Sequence, residues 1–280
     1  MSTVARTGVM PIPLPGHDHS VTFSPGGSKI VRTAAGGIYL RDADTGGMIE
    51  FMRGHFNSVT FSPDGSKIVG TAAGGIRVWD AVTGRMIESM RGYYNSVTFS
   101  PDGSKIVGTA AGGIYLWDAD TGRMIEFMRG HFNSVTFSPD GSKIVGTAAG
   151  GIYLWDADTG MMIEFMRGHY NSVTFSPDGS KIVGTAAGGI YLWDADTVVM
   201  IEFMRGHFNS VIFSPDGSKI VGTAAGGIYL WDADTGMMIE FMRGHYNSVT
   251  FSPDGSKIVG TNDRGIRVWD ADTGMMADSQ

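Results

Sequence analysis

Apolar residues alternate with polar ones in short bursts along the chain, and each burst ends at a cluster of glycine, proline or aspartate. In the copy running from His131 to Gly168, Val135 and Phe137 alternate with Ser134, Thr136 and Ser138, the two-residue period of a half-buried strand. Ser138-Pro139-Asp140-Gly141 then supplies the residues of a tight turn. Lys143 to Ala148 predicts a second strand, and Ala148-Ala149-Gly150-Gly151 a second turn in which glycine can take positive φ. Gly151 to Asp156, with Ile152 and Leu154 against Tyr153 and Trp155, predicts a third strand with both faces covered, and Met161 to Arg167 a fourth, outermost one. No stretch carries a helical period over a useful length.

The pattern repeats. Phe23, Phe61, Phe99, Phe137, Phe175, Phe213 and Phe251 stand at a constant step of 38 residues. The copies starting at His131 and His207 differ over a full period only at Thr136 against Ile212. A fixed period of this length without a linker predicts one repeat array over residues 1–280 rather than two domains. Four short antiparallel strands cannot hide two sheet faces by themselves, whereas sheets stacked face to face can. The expected fold is therefore all-β, a seven-bladed β-propeller of four-stranded antiparallel blades.

Gly54-His55, Phe61-Ser62-Pro63-Asp64-Gly65 and Trp79-Asp80, with equivalents in most copies from Gly16 to about Gly274, resemble the WD-repeat family. The resemblance implies a closure in which the two chain ends share a blade. Gly8 to His17 aligns with the fourth strand of the other copies, while the last copy stops at Gly274-Met275-Met276 followed by Ala-Asp-Ser-Gln. Blade seven is thus expected to combine residues 251–274 with a strand at 8–15. Pro11, Pro13 and Pro15 share one parity, as an edge strand permits, because only alternate N–H groups join its ladder.

Composition narrows the function. A formal net charge of -7 disfavours a nucleic-acid partner. No apolar run is long enough to span a membrane, and cysteine is absent, which fits a cytosolic chain without disulfides. The first ten residues hold no apolar core of signal-peptide length. The expected molecule is a monomer in the cytoplasm.

The resemblance also implies a buried network of His, Asp, Thr and Trp, complete in one copy: His245, Thr261, Asp263 and Trp269. Elsewhere the Asp position is alanine, as at Ala73, Ala111, Ala149, Ala187 and Ala225, and the first copy also has Arg41 in place of Trp. Asp118-Ala119-Asp120-Thr121-Gly122 has the look of a calcium loop, yet it lacks the longer acidic signature and reads as a hairpin turn. Histidines repeated around an axis stand too far apart to share an ion, and repetition spreads like residues instead of converging unlike ones, so no metal, cofactor or catalytic site is expected.

What remains is a candidate binding ring at the loop end: His55, Phe56, Asn57, His131, Phe132, Asn133, His169, Tyr170, Asn171, His207, Phe208, Asn209, His245, Tyr246 and Asn247. In the resembled family that end commonly receives protein or peptide partners. The expectation is a non-enzymatic scaffold for such partners. One alternative is a multivalent lectin-like binder of a glycan or small ligand, for which the aromatics must be exposed. Another is a recently amplified or engineered symmetric array without specialised function. The Met-rich fourth strand is a candidate adaptable rim surface.

Overall fold

In the computed structural model of the protein, residues 20–276 are described, except Ala35, Ala73 and Arg264. The expected closing strand at 8–15, like His17, lies outside the described residues. Those residues form only β-strands, arranged in antiparallel sheets whose strands follow chain order. The all-β, four-stranded architecture expected from the repeat is present. In the fourth sheet the strands are Phe132–Phe137, Lys143–Ala148, Gly151–Asp156 and Met162–Arg167.

The chain divides into two compact units, the first holding residues 20–99, 103–106 and 118–123 and the second the remaining described residues. Each unit is built on the same packing. Within the second, Val145, Ile152, Leu154 and Met166 of the fourth sheet meet Tyr170, Phe175, Ile182, Trp193 and Ala195 of the fifth. The sixth and seventh sheets repeat it, with Val221, Ile228, Leu230 and Met242 against Tyr246, Phe251, Ile258, Trp269 and Ala271. In the first unit Val31, Ile38, Leu40 and Met52 pack on Phe56, Phe61, Ile68, Trp79 and Ala81. Every sheet so packed offers an aliphatic face to its successor and an aromatic face to its predecessor.

That contact dictates a glycine. A Cβ at Gly184 would lie 2.7 Å from Ile152 Cδ1 on the preceding sheet and 3.0 Å from the Trp193 ring, and Gly70 is as tightly placed between Ile38 and Trp79. The first copy departs at both partners together. Arg32 stands at the glycine position and Arg41 at the tryptophan, and the Arg32 guanidinium lies 4.6 Å from the centroid of Tyr39.

The last copy differs from the expectation that it has no fourth strand at all. Met276 bridges Trp269 in the register by which Met238 faces Trp231, so the first rung forms. In the complete fourth strands, the N–H of Phe165 donates to Glu164 Oε1 at 2.8 Å, with the same contact at Phe51, Phe127, Phe203 and Phe241. The N–H of alternate residues therefore points away from the ladder.

Turn chemistry recurs in the copies that carry Ser-Pro-Asp-Gly. Ser138 Oγ donates to Asp140 at 2.6 Å, and its own oxygen accepts the Lys143 N–H at 2.9 Å. The Ser138 hydroxyl, followed by the Ser142 hydroxyl and N–H, holds the Asp140 carboxyl down to about 2; Asp64 and Asp216 are lowered to about 2 by equivalent serines. A carboxylate depressed in the folded state adds stability above its unfolded value of 3.8, and that stability fades as pH falls toward 2. Thermal melts should accordingly show Tm falling through this acid window, with a shallower fall in Ser138→Ala. A flat profile there would refute the turn assignment.

Val198 occupies the turn position that is glycine in the other copies and has φ 57°, the one non-glycine residue with positive φ among those described. A β-branched residue in this region costs about 1–2 kcal/mol. Val198→Gly should raise stability by about 1 kcal/mol, seen as a Tm gain of roughly 2–4 °C; an unchanged or lower Tm would show the strain to be absent.

Candidate loop-end binding surface

The loop between the fourth strand of one sheet and the first of the next carries Gly-His-aromatic-Asn. The aromatic is part of the core. Phe56 and Tyr246 are 5% and 6% exposed, Tyr170 is buried, and Phe132 and Phe208 are half-buried. Each ring meets its sheet's tryptophan edge-on, with centroid distances of 5.4 Å for Phe56–Trp79, 5.3 Å for Phe132–Trp155, 5.7 Å for Tyr170–Trp193, 5.3 Å for Phe208–Trp231 and 5.4 Å for Tyr246–Trp269. Such edge-to-face geometry suits the ring quadrupoles. Phenylalanine and tyrosine interchange because both fill the same place; where tyrosine stands, its hydroxyl also donates to a carbonyl three residues back, as Tyr170 does to Arg167 at 3.3 Å.

A bulge explains how an aromatic three residues before Val135 reaches the same face. The register runs Phe132↔Ala148 and then Ser134↔Thr147, which leaves Asn133 unpaired and turned outward. Asn57, Asn171 and Asn209 sit in the same bulge. All four are exposed, as are His55, His131, His169 and His207. The odd spacing between the aromatic and Val135 is the sequence signal for this bulge, since strict alternation would send the two to opposite faces. Of the expected ring, then, His and Asn form surface, while the aromatics are corrected to packing residues.

The seventh sheet departs from its neighbours. Its first strand is the shorter Ser248–Phe251, and the Asn247 N–H donates to the Thr261 carbonyl at 2.8 Å. The four residues expected to form a buried network do not come together as one. His245 and Asp263 are exposed, and Asp263 Oδ1 accepts from Asn247 Nδ2 at 3.2 Å. Thr261 pairs its hydroxyl with Ser248 at 2.7 Å, as Thr147 does with Ser134 in a copy that lacks the aspartate. Trp269 is buried against Tyr246.

The aspartates of the hairpin turn are also engaged. Asp156 Oδ1 accepts from the Thr159 hydroxyl at 2.7 Å and the Thr159 N–H at 2.8 Å. The second aspartate pairs with the lysine of the preceding sheet: Lys67–Asp120 at 2.8 Å, Lys143–Asp196 at 2.9 Å, Lys181–Asp234 at 2.8 Å and Lys219–Asp272 at 2.9 Å. The constant separation of 53 residues puts Val82 opposite Lys29, so that turn lacks the pair. With the aspartates 70–82% exposed, each pair contributes at most about 1 kcal/mol.

A cavity of about 420 Å³ opens at the loop end of the seventh sheet, lined by Arg243, His245, Asn247, Asn262, Asp263 and Arg267 above Tyr246. Only His245, Asn247 and Asp263 of these polar residues stood out as candidates. Arg267 in place of tyrosine and Asn262-Asp263 in place of Ala-Ala were the available signals.

Phe132→Ala should destabilise the protein by roughly 3–5 kcal/mol, as loss of a packed aromatic does, whereas Asn133→Ala should stay within about 0.5 kcal/mol. Denaturant melts of the two variants check this, and a mild Phe132→Ala would return the aromatic to the exposed surface.

Among the described residues no helix is long and apolar enough to cross a membrane. No characterised protein matches the chain. The family described as WD domain, G-beta repeat matches residues 46–80, 84–118, 122–156, 160–194, 199–232 and 236–270.

Proposed function

Since the chain belongs to the WD-repeat family, whose members generally act as protein-interaction scaffolds, we propose that it is a non-enzymatic scaffold that holds protein or peptide partners on its loop end. The observation that carries this reading is the alternation within each loop. A buried aromatic pins the backbone, and the flanking His and bulged Asn stand exposed, as at His131, Phe132 and Asn133. Rigid backbone with short polar side chains offers hydrogen bonds to a peptide at small entropic cost. Specialised chemistry would need unlike groups converging on one pocket, and in the copies before the last the loops repeat like groups instead.

The lectin-like alternative is disfavoured, because the loop aromatics are buried or half-buried against Trp155 and its equivalents instead of standing free for a sugar to stack on. The test is capture of partners by crosslinking to the full chain. Replacing Asn133, Asn171 and Asn209 by Ala together should reduce capture at least about threefold, while Tm stays within about 2 °C. Equal capture by the parent and the triple variant would reject the loop end as the binding surface.

A further inference from the structure

We propose that the cavity at the loop end of the seventh sheet is a receptor for a carboxylate carried by a peptide; this rests on the scaffold reading and names the partner chemistry of one place on it. Three features of the cavity point to an anion.

The first is where the repeat changes. In the fourth, fifth and sixth sheets a tyrosine of the third strand meets the loop aromatic edge-on, at 5.4 Å for Phe132–Tyr153, 5.3 Å for Tyr170–Tyr191 and 5.4 Å for Phe208–Tyr229. In the seventh sheet Arg267 replaces that tyrosine, and the rim residues Asn262 and Asp263 replace two alanines. A cavity with polar walls results, floored by buried Tyr246.

The second is the state of the guanidiniums. Arg77, at the same place in the second sheet, lies 5.4 Å from the Phe56 centroid and donates to the Arg53 carbonyl at 3.3 Å. Arg267 and Arg243 line the cavity and pair with no side chain or carbonyl among the described residues. Two forked donors facing one space suit the two oxygens of a carboxylate.

The third is the charge balance. Two guanidiniums against the one carboxylate of Asp263 leave a single net positive charge in the lining, which matches a monoanion. Asp263 is itself held by the Asn247 amide at 3.2 Å, so Asn247 Oδ1 remains to accept an N–H from the peptide backbone. The volume accommodates a carboxylate and the backbone next to it, and lies in the range of small-ligand pockets.

The carboxylate can belong to an acidic side chain or to a peptide C-terminus. Fluorescence anisotropy on the full chain separates the two with three labelled Gly-Ser heptapeptides: one with a central Glu and an amidated end, one without Glu and with a free C-terminus, and one lacking both carboxylates. We expect at least one acid-bearing peptide to bind about tenfold or more tightly than the third, with the stronger of the two identifying the source. Arg267→Tyr, which restores the repeat's own residue, should weaken that peptide at least about tenfold, and Arg77→Tyr should leave it unchanged. Arg243→Gln gives the same readout if Arg267→Tyr fails to fold. Equal binding of all three peptides, no binding, or equal effects of Arg77→Tyr and Arg267→Tyr would overturn the proposal. Persistence of Asn-dependent partner capture alongside such a failure would leave the scaffold reading standing and remove the cavity alone.

Discussion

A tryptophan ring lying over a glycine, with the isoleucine tip of the preceding sheet against both, is the contact on which the rest of this structure depends. Trp193, Gly184 and Ile152 form one instance, and Trp79, Gly70 and Ile38 another. The glycine is required because a side chain there would occupy the space of the ring, and the ring is required because it fills the gap left by the glycine. The loop aromatic then packs edge-on against the tryptophan, which fixes the loop backbone. The exposed His and Asn owe their positions to a core contact two layers below them.

Where the contact is altered, its partners change with it. Arg32 and Arg41 replace the glycine and the tryptophan of the first copy together.

The outer strands manage a different problem. An edge strand presents alternate N–H groups to any extended chain that approaches. Here a glutamate one residue earlier accepts one outward N–H of the strand, as Glu126 does from Phe127 at 2.7 Å, so the middle of the edge is satisfied and charged despite the exposed methionines beside it, such as Met124 and Met162. The turn aspartates perform a comparable task with threonine and lysine partners.

Strands, turns and the repeat were legible from residues 20 to 276 because they depend on local chemistry: alternation of period two, Pro-Asp-Gly and Gly-Gly turns, and a fixed spacing of 38 residues. Propeller-type sheets followed from the need to cover two faces. The direction of the loop aromatics left one trace, their odd spacing from the next core residue such as Val135, since a bulge changes which face a residue takes without changing composition; the pairing of Ser134 with Thr147 settles it. Nor was the fate of His245, Thr261, Asp263 and Trp269, because hydrogen bonds are decided by distances that spacing does not determine, and Asn247 and Ser248 proved the nearer partners. The cavity lined by Arg243 and Arg267 was equally hidden: these residues stand 24 apart, on the last strand of the sixth sheet and the third strand of the seventh, and it is the packing of one sheet on the next that brings them to one opening. Sequence determined the elements and their order by local preference, and tertiary structure decided which side chains became core and which became surface by distance.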